Sequence, residues 1–161
     1  MALELFTLVH VLISLLGICS GFVVIGGMLA GNPRPPSTWF FLAFTTATSV
    51  TGFLFPFKGF TPAFAFGVIS LVVLAVAIHA LQVKRLEGGS RKTYIITALT
   101  AQYLNVFVLI AQLFQKVPPL RELAPTQSEP AFGISQALLL AIFIWIGRAS
   151  IKRTQPAPLL A

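Results

Sequence analysis

The sequence predicts an all-α, polytopic membrane protein: five transmembrane helices in one bundle, forming a single domain over residues 1–161. Three observations predict it. Hydrophobic residues make up 57% of the 161 positions and charged residues only 9%, against roughly 25% charged in a soluble domain. The charges are also clustered, leaving the uncharged stretches 5–33, 35–57, 59–83, 93–115 and 130–147, together 118 positions. Each is close to the roughly 20 apolar residues, about 17–25, that a helix needs to cross a bilayer. Finally, the apolar runs are continuous and do not alternate, which excludes a membrane β-barrel. The same facts exclude a soluble enzyme and a disordered tail, and a single cysteine, Cys19, excludes an intrachain disulfide framework.

The first helix is expected at about 5–30. It lacks a basic leader and exceeds the roughly 7–15 apolar residues of a signal peptide, so it reads as retained. Pro33, Pro35 and Pro36 follow and cannot continue a helix. The second helix, about 37–57, has Ser37 as its expected N-cap, and Pro56 should kink or end it. A tight link around Lys58-Gly59-Phe60 leads to the third helix, 61–83, with Thr61 as cap and Pro62 at the first helical position. Lys84 to Lys92 reads as a basic, flexible loop. The fourth helix is expected at about 93–116. A loop from Val117 to Pro130 follows, stiffened by four prolines. The fifth helix, about 131–150, ends in a short basic tail.

Charge placement orients the bundle. With the N-terminus periplasmic and the C-terminus cytoplasmic, Arg34, Lys84, Arg85, Arg91, Lys92, Arg148, Lys152 and Arg153 fall inside. Only Lys58, Lys116 and Arg121 fall outside. Eight against three follows the positive-inside rule. Anionic inner-leaflet lipid is therefore the expected partner of these cations, within the lipid bilayer, and nucleic acid is not. Trp39, Tyr94 and Trp145 fall near the same inner boundary, where such rings concentrate. Phenylalanines crowd the outer ends, at Phe53, Phe55, Phe57, Phe60, Phe64, Phe66, Phe114 and Phe132; they read as packing bulk or as an apolar rim.

No soluble-enzyme motif is present, and no uncharged stretch holds a carboxylate. Neutral polar residues remain, costly in hydrocarbon unless paired. On helical wheels, Tyr94, Gln102, Asn105 and Gln112 share an arc of about 80°. His10, Ser14, Gly17 and Gly21 share another face, as do Thr45, Thr48, Ser49 and Gly52. By helical rise, His10, Thr48, Gln112 and Gln136 reach similar depths in the outer half, with Asn105 near the midplane. The expected ligand-binding residues are thus His10, Ser14, Thr48, Asn105, Gln112 and Gln136, lining an outer-half polar pocket. The plainer reading of His10 is a packing histidine bonded to Ser14 or Thr48.

The expected function is a non-enzymatic accessory or binding protein whose pocket takes an apolar small molecule or a partner helix. One alternative is a quinone-binding, redox-associated subunit, with His10 and Gln112 on the quinone carbonyls. Another is a small transporter working as a homo-oligomer. No nucleophile or metal set accompanies His10, which argues against an enzyme. A bis-histidine haem between His10 and His79 is disfavoured, because the two lie about 20 Å apart in depth.

Two segments, Thr48-Ser49-Val50-Thr51-Gly52-Phe53-Leu54-Phe55-Pro56 with Gly59-Phe60-Thr61-Pro62, and Leu123-Ala124-Pro125-Thr126-Gln127-Ser128-Glu129-Pro130, join the Leu8-Val9-His10 opening in a resemblance. Together they resemble a group of small hypothetical integral membrane proteins of Gram-negative bacteria. The resemblance covers most of the chain and implies a bacterial inner-membrane location. It brings no activity and no functional residue.

Overall fold

The computed structural model describes residues 2–56 and 62–154. It is all-helical, with no strand among the described residues. The elements are α1 (Ala2–Leu29), α2 (Thr38–Gly52), α3 (Pro62–Gln82), α4 (Ser90–Lys116), α5 (Pro118–Leu123) and α6 (Pro130–Arg153).

Four helices, α1, α3, α4 and α6, are long and apolar enough to cross a membrane. α2 is not. Its 15 residues rise about 22 Å, short of the roughly 30 Å hydrocarbon core. It stops at Gly52, five residues before the expected end. A residue preceding proline is pushed out of the α region, so Pro56 acts back through Phe55. The chain leaves α2 through i→i−3 bonds, Phe53 N–H to the Val50 carbonyl and Leu54 N–H to that of Thr51, both 3.1 Å.

Other boundaries shift for local reasons. Ser37 occupies the N-cap position of α2 but does not cap it. Its backbone is already helical (φ −72°, ψ −5°), whereas capping needs an extended residue, and its hydroxyl is buried without a partner. The expected Thr61 cap and the Lys58-Gly59-Phe60 link lie outside the described residues. α4 begins at Ser90, three residues earlier than expected, so the loop before it is short. It is also pinned: Leu86, at φ 60°, is buried, and its N–H closes α3 on the Ala80 carbonyl at 3.2 Å, a helix-ending turn. The proline-rich connection contains α5, because Pro118 and Pro119 occupy first-turn positions that need no N–H. α6 runs three residues beyond its expected end.

The four long helices and α2 alternate in direction and form a ring, α1–α2–α3–α4–α6, closed by α6 on α1; α4 also reaches α1, α2 and α5. Small residues sit at the contacts, where they let backbones approach. A Cβ on Gly17 would lie 3.4 Å from Thr45 of α2, and a Cβ on Gly27 would overlap Pro35. The densest core is near the basic end, around Met28, Phe41, Leu42, Leu74, Tyr94 and Ile95. The outward surface is apolar, with Leu5, Phe40, Leu54 and Trp145 exposed. Trp39 is also exposed, whereas Tyr94, in the first turns of α4, is fully buried inside the bundle.

Arginines close the basic end. Arg153 Nη1 donates to the Leu29 carbonyl at 2.7 Å and Arg91 Nη1 to the Thr154 carbonyl at 2.9 Å. Each satisfies a terminal carbonyl of another helix that has no intrahelical donor. The opposite end is knitted by phenylalanines. Phe53 meets Phe64 at 5.0 Å, Phe66 meets Phe107 at 4.9 Å, and Phe132 meets both Phe107 and Phe114.

Candidate functional site

Most hydroxyls in the helices are consumed locally. Ser14 donates to the His10 carbonyl at 2.7 Å, Thr48 to the Phe44 carbonyl at 2.9 Å, and Thr46 and Thr51 likewise four residues back. Such back-bonding satisfies a hydroxyl where no water is at hand.

His10 makes one of the bonds that cross between helices. It is half-buried on α1, and its Nδ1 lies 2.7 Å from Thr51 Oγ1 of α2. The Thr51 hydroxyl also lies 2.7 Å from the Ala47 carbonyl and 3.2 Å from that of Thr48. With its proton on one of these carbonyls, the threonine oxygen accepts and His10 Nδ1 donates. A neutral imidazole with its proton on Nδ1 keeps a lone pair on Nε2. That nitrogen makes no hydrogen bond to the described residues, and the side chain is only half-buried. Aromatic rings flank it: Phe55 meets the imidazole edge-on at 5.1 Å, and Phe6 packs on Phe55 at 4.8 Å. A Cβ on Gly52 would come within 3.8 Å of His10 Cε1. The arrangement is one hydrogen-bond acceptor set in an apolar, aromatic surround between the ends of α1 and α2.

The other expected residues are distributed more widely. Ser14 adjoins His10 in sequence, but its hydroxyl meets the histidine carbonyl and not the ring. Thr48 is one turn from Thr51, turned onto its own helix. Asn105 Nδ2 donates to Thr45 Oγ1 at 3.2 Å, joining α4 to α2 nearer the middle. Gln136 is buried, and its Nε2 donates to the Phe107 carbonyl at 3.3 Å, joining α6 to α4. Gln112 is exposed on α4. His10 and Thr51 thus form one cluster, Asn105 and Thr45 a second, and Gln136 and Phe107 a third. The shared depth expected from helical rise does not produce one lining, because Asn105 and Gln136 each bond a neighbouring helix and Gln112 is exposed.

The wheels passed over Thr51, Phe6 and Phe55. Thr51 lies about 60° from Thr48 on the wheel, one turn further along. Phe55 reaches His10 because α2 ends early and folds the chain back over α1. His79 is exposed in the last turn of α3, and Cys19 is exposed on α1. No group of three His, Cys, Asp or Glu side chains close enough to hold a metal occurs among the described residues.

Comparison with known proteins finds no family model, no curated protein and no solved structure that matches the chain.

Proposed function

We propose that this chain is a non-enzymatic binding protein of a bacterial inner membrane, crossing it five times with the N-terminus outside and the basic end inside. The fifth crossing is α2 together with the turn that follows it. The site is His10, and its occupant is an apolar molecule that carries one hydrogen-bond donor. The single observation behind this reading is the Nε2 lone pair left over once Nδ1 is committed to Thr51, set among Phe6, Phe55 and the outer end of α2. An unpaired imidazole nitrogen at membrane depth favours a ligand over pure packing.

This polarity sharpens the quinone alternative. A carbonyl needs a donor, and the free nitrogen of His10 is an acceptor. A reduced quinol, with a hydroxyl to give, fits better than the quinone. The two-ended grip by His10 and Gln112 is not favoured, since Gln112 is exposed on another helix. A partner helix with a serine or threonine on its face would use the same nitrogen.

Purification in a mild detergent, solvent extraction and mass spectrometry test the reading. The wild-type extract should contain a hydroxylated apolar molecule, depleted about tenfold in His10→Ala, as expected for one lost hydrogen bond in a dry site. Thr51→Val, which frees the ring to turn, should deplete it partly. Identical extracts from wild type and His10→Ala would overturn the proposal.

A further inference from the structure

Two clefts open on the seam between α4 and α6. One, about 360 Å³, lies at the basic end against Arg91, Lys92 and the Gly88–Gly89 turn. The other, about 400 Å³, runs along the seam past Leu99, Tyr103, Phe143 and Gly147, with Arg148 on its α6 wall one turn before Ile151. Ile151 lines both, so they adjoin at this residue.

Their chemistry changes along the length. Three cations and no carboxylate line the pair. Arg91 is held in position by its bond to the Thr154 carbonyl, while its Nε is buried without a partner. Lys92 and Arg148 are exposed. A Cβ on Gly88 or Gly89 would meet nothing within 4 Å, so the cationic cleft stays open on that side. α4 begins on the same wall, and its positive dipole end adds to the field. Beyond Ile151 the lining is aliphatic and aromatic apart from Thr100, Gly147 and the Arg148 side chain. From Arg91 to Tyr103 the helical rise is about 18 Å, close to one leaflet of a roughly 30 Å core.

An anion joined to a long apolar chain matches this gradient; a free anion or a plain hydrocarbon matches half of it. We propose that the α4/α6 seam binds one anionic phospholipid, its phosphate between Arg91, Lys92 and Arg148 and one acyl chain laid along the groove to Tyr103. The inference rests on the membrane-spanning reading of the chain. It does not rest on His10.

Native mass spectrometry of the full chain in detergent tests it, with phosphatidylglycerol and phosphatidylcholine of matched chains as probes and glycerol phosphate as the head without chains. Phosphatidylglycerol should be retained in preference to phosphatidylcholine, and glycerol phosphate should not displace it at equal concentration. Lys92→Gln and Arg148→Gln should each weaken phosphatidylglycerol retention roughly fivefold, the worth of one cation near an anionic surface. The control pair Arg34→Gln and Lys84→Gln removes as much charge away from the cleft and should change little. Gly147→Leu, which fills the groove, should weaken both lipids; were it to misfold, the exposed-cation variants still decide. Equal retention of the two lipids, an equal loss in the control pair, or displacement by glycerol phosphate would overturn the site. His10→Ala should leave this retention intact, so failure here is separable from failure at His10.

Discussion

The side-chain amide of Gln102 fills the notch that Gly21 leaves in α1. Gln102 Nε2 donates to the Ile18 carbonyl at 2.9 Å. A Cβ built on Gly21 would overlap Gln102 Oε1 and Cδ. Gln102 is 1% exposed, so its amide has no solvent to retreat into. The contact between α1 and α4 therefore depends on a missing methyl group.

Gly21→Ala should accordingly destabilise the bundle by about 1–3 kcal/mol, the usual cost of overpacking, despite the higher helix propensity of alanine. The same substitution in a Gln102→Ala background should cost much less, because the colliding amide is gone. Unfolding of the four proteins of this cycle in mixed micelles checks it. Additive losses would show that the amide and the glycine are not coupled.

A second interhelical bond joins two serines. Ser49 Oγ lies 3.2 Å from Ser70 Oγ, linking α2 to α3 where both side chains are buried. Ser49 also bonds the Thr45 carbonyl at 3.0 Å, so its proton is shared. The Ser49→Ala, Ser70→Ala cycle should give a coupling of about 0.6 kcal/mol, typical of polar pairs between membrane helices. Ser49 has the Thr45 carbonyl to fall back on, which is why a larger value is not expected. Thermal unfolding in detergent of the single and double variants measures it.

The same two contacts explain how far the sequence could be read. Charge gaps located the long helices to within a few residues, because charge is costly in hydrocarbon wherever it falls. The pair Gly17 and Gly21 was recognisable as a contact face. That the first would meet Thr45 on α2 and the second Gln102 on α4 was not, since a wheel has no information about neighbours. The outer-half grouping of His10, Gln112 and Gln136 was built from depth. Depth fixes one coordinate of three, and helix order around the ring fixed the others. The α2 end was misjudged because absence of charge continues to residue 57 while the backbone obeys Pro56.

Arg153 joins two helix ends. Its guanidinium donates to the Leu29 carbonyl, the C-terminus of α1, where a cation also meets the negative dipole end. Arg153→Gln should lower stability by about 1 kcal/mol, a modest value because the side chain is exposed. Hydrogen exchange should quicken at the last turn of α1 and leave the middle of α1 unchanged. Faster exchange along the whole helix would mean that Arg153 supports packing and not the helix end.

The loop before α6 carries the pH-sensitive element. Desolvation pushes the Glu129 carboxyl upward, but it is outweighed by hydrogen bonds from the Thr126 hydroxyl and from backbone N–H groups, which leave the carboxyl below its ordinary value. Thr126 Oγ1 donates at 2.8 Å and Thr126 N–H at 3.2 Å and 3.3 Å to the two carboxylate oxygens; Ser128 also contacts the Thr126 hydroxyl. A carboxyl held low in the fold favours the folded loop above its unfolded value and loses that contribution as pH falls through the folded one. Protection of the Thr126 amide should therefore be constant near neutrality and decline as the solution enters the acid end of the carboxylate range. Glu129→Gln should exchange faster at neutral pH and show no such decline. Because these bonds stay within one surface turn, the loosening should stay within the Thr126–Glu129 turn and the start of α6, without moving the unfolding of the bundle. Amide exchange followed by NMR against pH checks both parts, and a pH-independent wild-type loop would rule out the carboxylate as its clasp.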